Sequence, residues 1–236
     1  MPLHLICGPM FAGKTSLLMK ILKEREPSET IIIKHKNDSR YTCTLAEIRS
    51  HNGEIILCNA FNSLDEVETT MPLEKITSIM IDEGQFFPDV DSKVIQWVAS
   101  GKEVIITALP NGLFMEPIQN IANLMAIADN ITLLSSQCTS CLKEAHFTYR
   151  TSPLPDNASP ENPTALVGGK EAYTPLCRRC FLKRIQFEKK HSQGMFAGKG
   201  IDNFSIPEST ISIKPNLNGE WYDWKTLKSN LLNCLP

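Results

Sequence analysis

The amino-acid sequence predicts an α/β fold, a parallel sheet flanked by helices, with a small metal-tied unit appended. Three observations carry this reading. A glycine-bounded loop sits between a strand-like and a helix-like segment at the start of the chain. β-Branched apolar runs then alternate with helical periodicity up to about residue 134, and two Cys-x-x-Cys pairs follow.

The loop is Gly8-Pro9-Met10-Phe11-Ala12-Gly13-Lys14-Thr15, which matches the phosphate-binding pattern G-x-x-x-x-G-K-[ST]. Leu3 to Cys7 before it reads as a short buried strand, and Thr15 to Lys23 after it as a helix. This context suits an anion held by main-chain N–H groups at a helix start, with Lys14 adding charge toward the β- and γ-phosphates and Thr15 placed to ligate magnesium. The sheet is therefore expected to be of P-loop NTPase-like type.

Further along, Thr30 to Lys34 reads as the second strand. A polar segment with Asp38, Arg40 and Tyr41 leads to a hairpin, with Asn52-Gly53 turning between Ile48 and Ile55-Ile56-Leu57. Residues 62–70 read as a helix capped by Asn62 or Ser63. Ile76 to Ile81 is a strand that delivers Asp82-Glu83 to its carboxyl end, the edge at which open α/β sheets bind ligands. Asp82 is placed to position magnesium with Thr15, and Glu83 to take a proton from an attacking group. A helix over 90–100, a strand over 103–109, a helix over 118–128 and a strand over 131–134 complete a core ending near Gln137.

Cys138, Cys141, Cys177 and Cys180 have the paired spacing of two thiolate knuckles around one tetrahedral zinc. The interval between the pairs is long and proline-rich from Thr151 to Pro163, so the metal would clamp the ends of a loop. Cys7, Cys43, Cys58 and Cys234 are scattered and read as core thiols. The chain is expected to divide into residues 1–137, 138–190 and a flexible C-terminal extension, 191–236.

Charge narrows the function classes. With 24 basic and 26 acidic residues the net charge is −2, which disfavours bulk binding to a nucleic-acid backbone. No apolar run approaches the roughly 18 residues of a membrane span, and the first residues enter a strand without a leader pattern, so a cytoplasmic protein with no membrane partner is expected.

The phosphate loop, Asp82-Glu83-Gly84-Gln85-Phe86-Phe87, Val167-Gly168-Gly169 with Tyr173, and the two cysteine pairs occur in the order seen in cellular-type (type II) thymidine kinases. The chain resembles that family over about residues 3–187. The resemblance implies a P-loop domain plus a small zinc-bearing lasso domain, assembled as a homotetramer. It also implies transfer of the ATP γ-phosphoryl group to the 5′-hydroxyl of thymidine, and of deoxyuridine, in nucleotide salvage for DNA synthesis. Feedback inhibition by thymidine triphosphate is expected with it.

Carried over by position, the resemblance makes Glu83 the base, with Lys14 and Arg40 acting on the migrating phosphoryl group. Gly8 to Thr15, Ser16, Asp38, Arg40, Asp82 and Gln85 are implied to contact ATP. Met10, Phe86, Leu109, Thr148 and Tyr173 are implied to surround the nucleoside, and the main chain of Thr164, Ala165, Leu166, Val167 and Gly168 to bond its pyrimidine edge. Thymine offers an acceptor at O4 and a donor at N3, which cytosine reverses, so a fixed main-chain pattern would reject cytosine.

The sequence departs from the family in two places. Pro110-Asn111-Gly112-Leu113-Phe114 stands where relatives carry Asp and Phe, so either Leu113 or Phe114 fills the aromatic position. Ser192 to Pro236 extends past the resemblance, opening with Gly194, Gly198 and Gly200. It continues through Trp221-Tyr222-Asp223-Trp224 to Leu227, Leu231 and Leu232, an amphipathic segment that either docks on the chain's own surface or serves as a partner-binding or regulatory tail. Two other functions fit the loop alone: an ATPase whose zinc module binds nucleic acid, and a nucleotide-binding regulator without turnover. The charge balance speaks against the first, and the set of Lys14, Thr15, Arg40, Asp82 and Glu83 against the second.

Overall fold

A computed structural model describes residues 2–38, 47–49, 53–153, 168–191 and 194. Arg40, Tyr41, the Asn52 end of the hairpin turn, Thr164 to Val167 and, apart from Gly194, the extension from Ser192 lie outside the described residues.

Short apolar runs of strand length make the core. β1 (Leu3–Cys7), β2 (Thr30–His35), β5 (Asn59–Phe61), β6 (Ser78–Asp82), β7 (Glu103–Ala108) and β8 (Asn130–Leu133) form one sheet in the order β5-β2-β6-β7-β1-β8. Every pairing in it is parallel, so all six carboxyl ends lie along one edge. Side chains alternate between the faces. Leu5, Ile33, Ile81 and Ile106 pack with α3 (Val90–Ala99) and α4 (Gln119–Ile127), while Ile6, Ile32, Met80 and Ile105 pack with Leu18 and Met19 of α1 (Lys14–Leu22). Cover on both faces explains why these strands read as continuous apolar runs. Each buried aliphatic side chain contributes about 1.5–3 kcal/mol, which makes this two-faced core the main stabilising term.

The hairpin forms as β3 (Glu47–Arg49) and β4 (Ile55–Leu57), with Ile48 opposite Ile56. Two small antiparallel pairs follow the main sheet, β9 (Ser136–Gln137) with β10 (Glu144–Ala145) and β11 (Phe147–Arg150) with β12 (Tyr173–Leu176). Helix α5 (Arg178–His191) packs on β11 and β12. Among the described residues no helix is long and apolar enough to cross a membrane.

The structure corrects several details. β5 is an additional edge strand. It is only three residues long and carries a single buried residue, Phe61, too little for an apolar run to show. The helix expected over 62–70 is shorter, α2 (Asp65–Thr70), and neither Asn62 nor Ser63 caps it. Asp89 does so from a distant turn, its carboxylate accepting from the amides of Leu64 at 2.9 Å and Asp65 at 3.0 Å. A carboxylate placed there satisfies first-turn donors and complements the helix dipole.

Candidate active site

The phosphate loop leaves β1 at the carboxyl edge and enters α1 through Gly13, whose φ of 86° lies in the left-handed region that suits glycine. Phe11 is also left-handed, at φ 67°. Gly8 is required for a different reason: a Cβ there would lie 2.6 Å from the main-chain oxygen of Leu134. Lys14 is buried, and its ammonium donates to the carbonyls of Gly8 and Pro9 at 3.1 Å each. No side chain caps α1 among the described residues, which keeps its first amides available to an anion.

β6 and β7 bring the acidic pair to the same edge. Asp82 Oδ1 accepts from the hydroxyl of Thr15 at 3.2 Å and from that of Thr107 at 2.6 Å. The Thr107 hydroxyl in turn accepts the amide of Glu83 at 2.9 Å. Glu83 takes a left-handed conformation, φ 53° and ψ 53°, which swings its side chain off the line of the strand. Its carboxylate is held by the Gln85 side-chain amide at 2.6 Å, and Gln85 Oε1 accepts the amide of Leu109 at 3.2 Å. Gln85 thus braces Glu83 against β7.

A cavity of about 610 Å³ opens over this edge. Of the residues expected to touch substrates, Met10, Phe11, Gly13, Lys14, Thr15, Ser16, Asp38, Asp82, Glu83 and Gly168 line it. Lys34, Glu47, Ile48, Arg49, Gly169, Lys170 and Glu171 also line it. Gly8, Pro9, Ala12 and Gln85 are not among its lining residues. Two residues that the sequence reading missed are central: Thr107, fully buried between Asp82 and Glu83, and Lys34, 8% exposed beside them. Both are polar residues at the carboxyl end of an otherwise apolar strand, which is the signal that could have found them.

The expected nucleoside residues fall together in one apolar cluster. Met10, Phe86, Leu109, Leu113 and Tyr173 are buried in it, with Phe114 half-buried against it. Of the two candidates in the divergent turn, Leu113 is therefore the buried one. The hydroxyl of Thr148 accepts the amide of Met10 at 2.9 Å, tying β11 to the phosphate loop. Arg150 donates to the Tyr173 hydroxyl at 2.6 Å and sits over that ring, its Cζ 5.2 Å from the centroid.

The four paired cysteines converge, their sulfurs all within 4.8 Å of one another and those of Cys141 and Cys177 3.6 Å apart. A tetrahedral zinc with bonds of about 2.3 Å separates its sulfurs by about 3.8 Å, so this group could hold a zinc ion. Burial opposes ionisation of the Cys138 thiol, but the amides of Cys177, Ser140 and Cys141 outweigh it and lower its pKa, whereas burial pushes the Cys180 thiol of the same group up.

Behind Phe86, His35 stands 5.0 Å edge-on to Phe87. Its Nδ1 accepts the Asn37 amide at 3.1 Å, so Nε2 carries the hydrogen and donates to the Asn62 carbonyl at 2.9 Å. Burial, its largest influence, lowers the His35 pKa below 6.5 despite the Asn62 carbonyl and nearby carboxylates. The native state therefore stays neutral where the unfolded chain takes up a proton. The stability this contributes is present above pH 6.5 and lost as pH falls toward the folded pKa. Urea unfolding at about pH 5.5 is expected to show a lower midpoint than at about pH 7, with a smaller difference in His35→Gln. An equal pH dependence in the two chains would contradict this. Burial also lowers His4, which adds a slope common to both.

Comparison with known proteins agrees with this geometry. The family model for thymidine kinase matches residues 1–181. The thymidine kinase of Myxoma virus (strain Lausanne) is 34% identical over 181 residues, covering 76% of this chain and 95% of the viral one. That of Yaba monkey tumor virus (strain VR587) is 33% identical over 183 residues, 77% and 94% of the two chains. That of Vaccinia virus (strain Western Reserve) is 32% identical over 185 residues, 76% and 96%. With a phosphate loop, Asp82 bonded to it and a match over most of its length, the chain belongs to the thymidine kinase family.

Proposed function

We propose that this chain transfers the γ-phosphoryl group of ATP to the 5′-hydroxyl of thymidine, and of deoxyuridine, at the sheet edge where the Gly8–Thr15 loop meets Asp82 and Glu83. The observation that carries this is the 3.2 Å bond between Thr15 and Asp82, with Glu83 lining the same cavity. The loop amides and Lys14 hold the phosphates. Glu83 accepts the proton of the 5′-hydroxyl as that oxygen attacks the γ-phosphorus, and ADP departs. Thr15 and Asp82 are the residues that would hold magnesium, which when bound offsets charge on the β- and γ-phosphates. Arg40, by its place in the sequence, stabilises the migrating group, with Asp38 on the cavity wall beside it in the chain.

The apolar cluster around Met10, Phe86, Leu109 and Tyr173 takes the nucleoside, and the main chain of Thr164 to Gly168 bonds the pyrimidine edge. Cys138, Cys141, Cys177 and Cys180 would hold a zinc ion, which when bound would close the ends of that loop and lower the entropy lost in ordering it. Residues 138–190 act as this lasso domain beside the ATP domain of residues 1–137, with 191–236 an extension. A cytoplasmic homotetramer, inhibited by thymidine triphosphate and independent of nucleic acid and membrane, completes the reading.

Comparison of thymidine, deoxyuridine and deoxycytidine as acceptors tests it. The first two are expected to be phosphorylated, and kcat/KM for deoxycytidine to be lower by roughly 10⁴-fold, since its N3 and N4 leave the site's buried groups unpaired. Comparable turnover of deoxycytidine would overturn the pyrimidine-edge assignment.

A further inference from the structure

Lys34 closes an apolar run, Ile31-Ile32-Ile33, and lies in register beside Asp82 of the neighbouring strand. It is 8% exposed. A charged group so placed is costly unless it is fully engaged, and a side chain chosen only for packing would be aliphatic. Its ammonium has three donors. Two are used on main-chain oxygens of two different segments, that of Asp38 at 3.2 Å and that of Glu47 at 2.8 Å.

These partners are what make the lysine informative. Asp38 follows β2, whereas Glu47 begins β3, which pairs with β4 in a sheet separate from the main one. Ile48 supplies adhesion between the two by sharing a buried apolar cluster with Ile32 and Met80, but an apolar contact does not set direction. A lysine bonded to both carbonyls does. Asp38, Glu47, Ile48 and Arg49 all line the 610 Å³ cavity together with Lys14, Asp82 and Glu83. Arg49 lies 3.6 Å from Glu47 across that wall.

We propose that Lys34 is a positioning residue for phosphoryl transfer: by joining the Asp38 and Glu47 carbonyls it fixes the cavity wall formed by Asp38, Glu47 and Arg49 relative to the phosphate loop. This rests on the thymidine kinase reading. Lys34 sets where ATP lies rather than reacting with it, so its loss is felt on the ATP side and spares the nucleoside cluster.

The full chain carrying Lys34→Met, compared with Lys34→Arg, tests this with ATP and thymidine varied separately. The methionine variant is expected to lose about 10²-fold in kcat/KM for ATP, the effect of a misplacement of about 1 Å, with KM for thymidine unchanged. The arginine variant, which can still donate to both carbonyls, is expected to recover much of that loss. A folded methionine variant with wild-type constants would overturn the proposal. So would a parallel loss on both substrates that arginine does not repair, since that is what a merely structural lysine produces. If the methionine variant does not fold, Lys34→Gln takes its place with the same outcomes. A wild-type chain inactive on thymidine would end the kinase reading instead. Titration with a fluorescent ATP analogue then decides Lys34 by itself, weakened binding in the variant supporting it and equal binding overturning it.

Discussion

Glu83→Gln is expected to phosphorylate thymidine about 10²–10⁴-fold more slowly than the wild-type chain while binding ATP equally well, because a positioned base contributes on that order. The substitution is unusually clean here. Glu83 is anchored by a hydrogen bond that its carboxylate accepts from Gln85, and a glutamine oxygen accepts the same bond. Its amide remains on Thr107, and the left-handed main chain is undisturbed. What is lost is basicity. Single-turnover transfer measured beside equilibrium ATP binding separates the two effects. A kcat within a few-fold of wild type would remove Glu83 from its role as base and leave phosphate positioning to account for the rate.

The second large effect is expected from the cysteine cluster. Removing zinc by chelation, or replacing the exposed ligand in Cys141→Ser, is expected to abolish thymidine binding and leave ATP binding largely intact. Binding of a structural zinc ion is worth about 10–16 kcal/mol in small modules, more than the whole stability of most domains. The parts attached to the cluster are those that join the apolar group proposed to take the nucleoside. Cys177 and Cys180 flank the start of α5, the amide of Thr139 bonds the Pro175 carbonyl of β12, and β12 pairs with β11, whose Thr148 holds Met10. The phosphate loop meets these parts at Met10, but its two ends are held by β1 of the main sheet and by α1. Metal content, thymidine affinity and ATP affinity measured on one preparation decide this. Retained thymidine affinity in a verified zinc-free chain would sink the idea.

The difference between these two halves also explains what was legible in the sequence. Gly8 to Thr15 and Asp82-Glu83 could be read because each depends on a contiguous pattern at a strand end, where main-chain geometry does the placing. The cysteine pairs were readable for the same reason, since two Cys-x-x-Cys knuckles have the spacing that can bend around one ion. Features built from long-range partners were not. Asp89 caps a helix 24 residues away, and nothing local marks it as a cap. Thr107 joins Asp82 to Glu83 across two strands, a relation that exists only once β6 and β7 are in register. Lys34 looked like the polar end of a strand until its two carbonyl partners were brought to it. Helix α5 escaped notice because its charged face dilutes the apolar positions, although Phe181, Leu182 and Ile185 are buried.

The central claim is that one edge of the sheet joins a phosphate donor to a nucleoside acceptor. The most direct measurement is the fate of label from γ-labelled ATP incubated with the full chain, magnesium and thymidine. The expected result is label recovered in thymidine 5′-monophosphate, at a rate that depends on both substrates and falls in Glu83→Gln. Label released only as inorganic phosphate, whether or not thymidine is present, would contradict it.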